Sequence, residues 1–292
     1  MAFCVLAVII VLAIPLLAEP MLLHPTNPQP KNQATPSPQA SQPTATPQTT
    51  QESALQTAIS NGIQYFDGCQ EPDALLMLNV LYRQFGVIAF ADSVQTYDQI
   101  MAIDPGAAAY MRVFLRIADY NNTLQPGDMQ SITDALDLIT TPALYSDRTP
   151  LPTDYSQTLN QSYYEGGYDL THVLLACIWM QDNGVQVPMP SGFVENVYNA
   201  TAALVGNGSV VTDTNLEAAA FLFEAGQGAL VSNDFVTRVI AVQNSDGGWP
   251  STTDTPTPAG SYWHSSVLAL MILLYTENPS NSYPPMLAPA PT

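Results

Sequence analysis

Side chains that could do chemistry stand at or near the starts of several apolar stretches of this sequence. Carboxylates and imidazoles can exchange protons near neutral pH, and together with a thiolate they also form the usual ligand set of zinc. If the fold brings these stretches together at one end, we expect either acid–base chemistry or a metal site there. The residues concerned are Asp67, Cys69, Glu71, Asp73, Asp169, His172, Glu217, Trp263 and His264.

Two kinds of site can be built from this set. The candidate catalytic residues are His172, His264, Asp169 and Glu217. A carbohydrate-active site would use two facing carboxylates from among Glu71, Asp169 and Glu217, with aromatic rings to stack on sugars. The candidate ligand-contacting residues at the same place are Glu71, Tyr168 and Trp263.

Structural roles compete with each of these functional ones. A histidine at the start of an apolar helix, such as His172 or His264, often only hydrogen-bonds a neighbouring turn. Asp169 and Glu217 could simply favour the positive end of a helix. Cys69 and Cys177 could be buried as small apolar side chains, or could pair in an oxidising compartment. Both sets of roles stay open on the sequence alone.

The elements that would position these residues are helices, because from Glu52 onward apolar residues recur with helical spacing. Amphipathic segments alternate with segments that are apolar nearly all round, and the second kind must be buried. The amphipathic, outer segments are 52–66, 91–102, 127–140, 191–205 and 234–243. The apolar, inner segments are 71–85, 104–120, 167–180, 214–226 and 262–275. We predict an all-α body, with residues 141–166 as a loop that either covers one rim as a lid or pads the outside.

The turn "QNSDGGWP" joins one outer segment to the last inner segment. Its Gln243, Asp246, Gly247, Gly248 and Trp249 resemble the Q-x-x-D-G-G-W repeat of the terpenoid cyclase and protein prenyltransferase superfamily. The resemblance implies an (α/α) toroid, here of about five to six helical hairpins. In such a ring the inner helices run the same way, so their N-termini meet at one rim of an apolar funnel.

Two further motifs resemble functional sites of this superfamily. "DGC" at 67–69 and "YWHSS" at 262–266 are similar to the zinc site of prenyltransferase β subunits, which implies Asp67, Cys69 and His264 as zinc ligands. "GCQEP" is similar to the thioester motif of complement-like domains, but Pro72 stands where the acyl bond requires a glutamine. The Asp-rich motif of class II cyclases is missing. The resemblance therefore implies a fold and a possible zinc cofactor, but no complete catalytic motif.

The composition of the terminal segments predicts that the helical body is attached to a membrane or secreted. Residues 1–23 are apolar and read as a signal anchor or signal peptide, and 24–51 form a Pro/Thr/Gln-rich disordered linker. The helical body spans 52–278, and 279–292 is a Pro-rich C-terminal strap or tail. Asn121, Asn160, Asn199 and Asn207 lie in sequons that permit glycosylation. These features predict an extracytoplasmic protein, membrane-anchored or secreted.

Charge excludes one class of partner. The formal net charge is −19, with Lys31 the only lysine and five arginines, so the chain cannot build the basic face that nucleic acid requires. We therefore expect a domain that binds a peptide, glycan or lipid-like ligand at the rim of its funnel. The alternative is a metal-assisted or carboxylate-based hydrolase or lyase acting at the same rim.

Overall fold

The computed structural model describes residues 48–103, 105–206, 210–251 and 260–291, and this part is helical without a β-strand. The predicted all-α class is confirmed there. The predicted anchor 1–23 and nearly all of the linker 24–51 lie outside the described residues. Within them, no helix combines the length and apolar character needed to cross a bilayer.

The α-helices of the described residues alternate between two sets. The odd-numbered set is α1 (Gln48–Tyr65), α3 (Ser93–Ile103), α5 (Asp128–Ser131), α7 (Tyr155–Glu165), α9 (Phe193–Val205) and α11 (Asn233–Ala241). The even-numbered set is α2 (Pro72–Phe85), α4 (Pro105–Phe114), α6 (Ala135–Leu144), α8 (Gly167–Asp182), α10 (Asp213–Glu224) and α12 (Trp263–Glu277). Each even-numbered helix follows its odd-numbered partner in sequence.

The even-numbered helices carry much of the core. In α12 every residue from Ser265 to Tyr275 is buried, and in α8 the run Val173–Met180 is buried. A helix without a polar face needs cover on all sides, and other even-numbered helices supply part of it. Thus α6 contacts α8, α8 contacts α10, α10 contacts α12, α12 contacts α2, and α2 contacts α4. The hydroxyl of Tyr110 on α4 donates a hydrogen bond to Asp137 on α6.

The Gly-rich turn before α12 fixes the positions of α11, α12 and α1 relative to one another. The amide of Gln243 donates to the carbonyls of Ala58 and Gly247, each at 2.8 Å. Trp249 is fully buried, and its indole N–H donates to Val239 O at 2.7 Å. Gly247 has a φ of +90°, and a Cβ at this position would overlap the carbonyl of Asn61 in α1. Glycine is therefore required both by the backbone conformation and by the close approach of α1.

The prediction that residues 141–166 form a loop is wrong for most of this segment. Helix α6 extends to Leu144, and α7 occupies Tyr155–Glu165, so within 141–166 only residues 145–154 and Gly166 lie outside helices. Tyr155, Leu159 and Ser162 of α7 are buried at helical spacing on one face. A narrow buried face is enough when the helix lies outside α8, which it contacts.

The predicted outer helix 127–140 is also divided differently. The chain forms the short α5 and then α6, which packs against α8 as a member of the even-numbered set. Thr140 and Thr141 of α6 are both buried, and their hydroxyls donate to the carbonyl of Asp137. Threonine hydroxyls satisfied within their own helix can enter a core.

The C-terminal segment packs as a strap. Met286, Leu287 and Ala288 are buried, with exposed fractions of 1%, 2% and 7%. The guanidinium of Arg83 donates to the carbonyls of Pro285 and Met286, and the backbone N–H of Leu287 donates to Asp182 at 3.1 Å. These partners lie at the C-terminal ends of α2 and α8, which is the end of these helices opposite to their chemistry-bearing starts.

Candidate functional site

Asp213, the first residue of α10, is the best-connected carboxylate at the starts of the even-numbered helices. Its Oδ2 accepts a hydrogen bond from Tyr168 at 2.7 Å and lies 2.9 Å from His264 Nδ1, and its Oδ1 accepts from the hydroxyl of Ser265. Burial alone would raise the pKa of Asp213, but the hydrogen bond and charge of His264, helped by Ser265 and Tyr168, hold it below its usual value. Asp213 is therefore ionised at neutral pH.

Glu217, one turn further along α10, lies between two histidines. It is only 1% exposed and accepts a hydrogen bond from the hydroxyl of Thr171. Its Oε2 is 3.4 Å from His264 Nε2, and its Oε1 is 3.4 Å from His172 Nδ1. Burial lowers the pKa of each histidine, but the facing carboxylates outweigh it, so the pKa of both His172 and His264 is raised. Protonated imidazoles are thus favoured at this position.

His172 keeps one ring nitrogen available. Its Nδ1 lies 2.8 Å from the carbonyl of Tyr168, and a carbonyl can only accept, so Nδ1 carries a proton. Its Nε2 has no hydrogen-bond partner among the described residues, and 17% of the side chain is exposed. When the ring is protonated, this Nε2–H can donate to a ligand or to a leaving group.

Two further carboxyls border the histidines from α2 and α6. Burial, followed by the charges of Glu71 and Asp137, raises the pKa of Asp73 to about 6 against the opposing effect of His264. Burial also raises the pKa of Asp137, although the hydrogen bond from Tyr110 and the charge of His172 oppose this. Starts of α2, α6, α8, α10 and α12 are thereby linked electrostatically. We call this group the rim cluster: Asp73, Asp137, His172, Asp213, Glu217 and His264.

Aromatic rings flank the rim cluster. The Trp263 ring meets the ring of His264 edge-on with centroids 5.3 Å apart, and Tyr262 approaches the same imidazole at 6.2 Å. Tyr262 is 42% exposed and Tyr168 36% exposed, so both rings are reachable from solvent. No lysine or arginine in the described part of the chain hydrogen-bonds or ion-pairs with a cluster member, which leaves carboxylates in excess over histidines.

The structure brings some of the predicted site residues together and leaves others apart. His172, Glu217 and His264 come together, and Tyr168 and Trp263 lie beside them. Asp169 is only partly buried and makes no side-chain hydrogen bond or ion pair with any described residue. Asp67 and Glu71 are exposed, and of these only Glu71 influences the cluster, through the pKa of Asp73.

The predicted zinc ligands do not form a recognisable metal site. No three histidine, cysteine or acidic side chains of the described residues are placed to hold a metal ion, and this includes Asp67, Cys69 and His264. Burial raises the pKa of the Cys69 thiol, and a backbone hydrogen bond with Glu71 opposes this without reversing it, so the structure does not favour a thiolate at this position. Cys69 and Cys177 are both free thiols, so the pairing left open by the sequence is not formed.

Three important residues were missed by reasoning from the sequence: Asp213, Asp137 and Ser265. A usable signal existed for Asp213, since it precedes Glu217 by four positions and so shares its helix face. The capping box of Thr212 and Asn215 also marks this helix start. Asp137 was hidden because its helix was placed in the outer set.

Comparison with known proteins adds no assignment: no protein-family model, no curated protein and no solved structure matches the chain. The chemistry of the rim cluster is therefore the main guide to function. It offers carboxylates beside imidazoles, raised pKa values at Asp73, Asp137 and both histidines, partly exposed aromatic rings and an excess of negative charge. Such a site can hydrogen-bond a polar ligand and transfer protons, and it disfavours anions.

Proposed function

We propose that the helices form a closed (α/α) toroid, with the even-numbered helices as the inner wall and the odd-numbered helices outside. Support comes from the contacts that run from α4 through α2, α12, α10 and α8 to α6. The hydrogen bond from Tyr110 to Asp137 joins α4 and α6 and completes the circuit. Convergence of five helix starts on the rim cluster is the arrangement that inner helices running in the same direction would give.

We propose that the rim cluster binds a neutral, hydroxyl-rich ligand, namely a glycan. The observation that carries this proposal is the buried network Asp213–His264–Glu217–His172 beside the exposed rings of Tyr168 and Tyr262. Carboxylates accept hydrogen bonds from sugar hydroxyls, and aromatic rings offer flat apolar faces on which sugar rings stack. No lysine or arginine of the described residues contacts the cluster, and its four carboxyl groups outnumber its two histidines, which argues against phosphorylated or other anionic ligands.

The tether predicted from the first 51 residues fits such a ligand. An apolar segment followed by a Pro/Thr/Gln-rich spacer would hold the body outside a membrane, where glycans are exposed. We therefore propose an extracytoplasmic, membrane-tethered or secreted glycan-binding domain.

Binding of neutral oligosaccharides and of matched uronic acid oligosaccharides to the full chain tests this function. We expect measurable binding of a neutral oligosaccharide by calorimetry and weaker binding of its uronate counterpart. Asp213→Asn should weaken binding about tenfold or more, because it removes the charge that orders His264 and Tyr168. Asp169→Asn is the matched control at a neighbouring helix start and should bind like wild type. Equal affinities of these two variants, or binding restricted to anionic glycans, would refute the proposal.

A second function, acid–base hydrolysis or elimination on the bound glycan, is favoured by one specific observation. His172 presents a free Nε2 with a raised pKa, while Asp73 has a pKa of about 6. Between these two values His172 is protonated and Asp73 is ionised, so His172 can act as general acid and Asp73 as general base.

The rate profile distinguishes catalysis from binding alone. If the cluster is catalytic, turnover rises with pH through about 6 as Asp73 ionises and falls at higher pH as His172 loses its proton. His172→Gln should abolish turnover yet retain glycan binding, because glutamine keeps a donor to the Tyr168 carbonyl. A bound glycan that stays intact over the whole pH range would leave binding as the function.

A further inference from the structure

A cavity lies at the C-terminal ends of α8, α10 and α12, away from the rim cluster at their starts. Its volume is about 1010 Å³, which is ample for a small organic molecule. The segment from Asn281 to Pro285, just before the buried part of the strap, forms one wall. The lining residues used below are Asp182, Phe223, Glu224, Tyr275 and Tyr283.

One side of the cavity is aromatic. The rings of Phe223 and Tyr275 are stacked with centroids 5.6 Å apart and an interplanar angle of 9°. Tyr283 meets Tyr275 edge-on at 4.8 Å. Faces of aromatic rings carry partial negative charge, so a wall of this kind attracts cations.

The same cavity contains two carboxyl groups. Glu224 accepts hydrogen bonds from Gln84 Nε2 at 2.8 Å and from the hydroxyl of Tyr275 at 2.7 Å. Asp182 accepts the backbone N–H of Leu287. These bonds hold both carboxyls in place without supplying a counter-charge, and no lysine or arginine is among the residues that line the cavity.

The charge of Arg83 acts on both carboxyls, but Arg83 does not form an ion pair with either of them. Arg83 donates to the carbonyls of Ile117, Pro285 and Met286 rather than to either carboxylate. Burial raises the pKa of Glu224 to about 7, and the charge of Asp182 raises it more than Arg83 lowers it. Burial likewise raises the pKa of Asp182 to about 6. Two carboxyls with raised pKa values mark a position where a positive charge would be stabilised.

A buried polar atom beside Glu224 also lacks a hydrogen-bond partner among the described residues. Gln84 is only 6% exposed, yet its Oε1 has no hydrogen-bond partner among the described residues. Buried side-chain oxygens are normally bonded, so the amide that holds Glu224 is not fully satisfied by the protein itself.

We infer that this cavity binds an organic ammonium ion, with Glu224 and Asp182 as counter-charges and the rings of Phe223, Tyr275 and Tyr283 against the cationic group. The inference does not depend on the glycan site, because no cluster residue lines the cavity. Carboxylate and aromatic faces together favour a cation with apolar substituents over a simple metal ion, which would require a tighter set of oxygen ligands.

The requirement for a positive charge is tested by calorimetry on the full chain with choline and with its uncharged isostere. In the isostere a tert-butyl group replaces the trimethylammonium group. Butylammonium and butanol form a second matched pair. We expect at least one cation to bind about tenfold or more tightly than its neutral partner. Affinity for choline, whose charge does not titrate, should rise about tenfold between pH 6 and pH 8 as Glu224 ionises. The groups that face Glu224 are Asp182 from α8, whose pKa of about 6 lies close to this range, and Arg83 from α2 and Tyr275 from α12, whose charge states do not change between pH 6 and pH 8.

Two variants connect the binding to the cavity. Glu224→Gln keeps the side-chain volume and one acceptor oxygen for the donors Tyr275 and Gln84 but removes the charge, and it should weaken choline binding about tenfold. Glu195→Gln, at an exposed position on α9, changes the net charge equally and should have no effect. Phe223→Leu serves as a second test through the aromatic wall, should Glu224→Gln lower the melting temperature. Cations that bind no better than their isosteres, or equal affinities of wild type and both cavity variants, would overturn the inference.

Discussion

Replacement of Asp213 by alanine should be among the most destabilising single changes at the rim cluster. It removes the acceptor of three groups: the hydroxyls of Tyr168 and Ser265 and the imidazole of His264. Ser265 is fully buried and cannot turn to water. A buried donor left unpaired costs about 1–3 kcal/mol, and breaking a buried ion pair about 3–5 kcal/mol. Because Tyr168 can reach solvent, we expect a loss of about 3–5 kcal/mol in the free energy of unfolding.

Urea unfolding followed by circular dichroism measures this change. We expect Asp213→Ala to lower the midpoint with an unchanged slope, as a pure loss of folded-state stability should. Asp169→Ala is the matched control, since Asp169 lies in the first turn of α8 without a side-chain partner among the described residues. The control should lose no more than about 1 kcal/mol, the effect of one acid on a helix dipole.

The pH dependence of the difference between wild type and Asp213→Ala tests its electrostatic origin. The pKa of folded Asp213 is lowered, so its contribution is present above the unfolded value of about 3.9 and is lost as pH falls through the folded value. The pKa of folded His264 is raised, so its contribution is present below about 6.5 and is lost as pH rises through the folded value. The difference should therefore be largest between about pH 4 and pH 6.5. A difference under about 1 kcal/mol, or one that does not change with pH, would refute the reasoning.

Three more changes have defined outcomes. Asp73→Asn should stabilise the protein by about 1–2 kcal/mol at pH 8 and not at pH 4. The raised pKa of about 6 means that ionised Asp73 opposes folding, and thermal unfolding measured at both pH values checks this. Gly247→Ala should lower the free energy of unfolding by about 3 kcal/mol or more, because the added methyl group would overlap a backbone carbonyl of α1. Gly86 has a φ of +70° but open space around it, so Gly86→Ala should lower the free energy of unfolding by only about 1 kcal/mol in the same denaturation assay. Removal of 284–292 should lower the free energy of unfolding by about 3–5 kcal/mol, because it deletes the buried side chains of Met286, Leu287 and Ala288 and exposes the apolar surface that they cover. Removal of 289–292 alone should leave the melting temperature unchanged.

Helices with a continuous apolar run could be placed closely from the sequence. The predicted inner segments 71–85, 167–180, 214–226 and 262–275 correspond to α2, α8, α10 and α12 with shifts of two residues or fewer at each end. A fully apolar surface has no other stable position than the interior, so such runs leave little choice. In the predicted segment 104–120, the α-helix ends earlier, at Phe114, and a 3-10 turn follows.

Prediction failed where polar residues enter the core with their hydrogen bonds satisfied locally. The predicted outer segment 127–140 ends in Thr140, which is buried with its hydroxyl bonded to the carbonyl of Asp137, and placing this segment outside removed Asp137 from the expected rim. The strap could be given only as one of two possibilities, because its carbonyl contacts with Arg83 depend on backbone positions that no side-chain pattern encodes.

Composition and periodicity alone determined that the described chain is helical, that particular helices are buried, and that acids and histidines stand at their starts. Which carboxylate meets which imidazole was decided only by the packing of helices far apart in sequence. Asp213 and His264 are separated by 51 positions, and their contact follows from the packing of α10 against α12. Side-chain type limits what chemistry is available, but a pKa and a hydrogen bond depend on distance and burial, which exist only once the helices have packed.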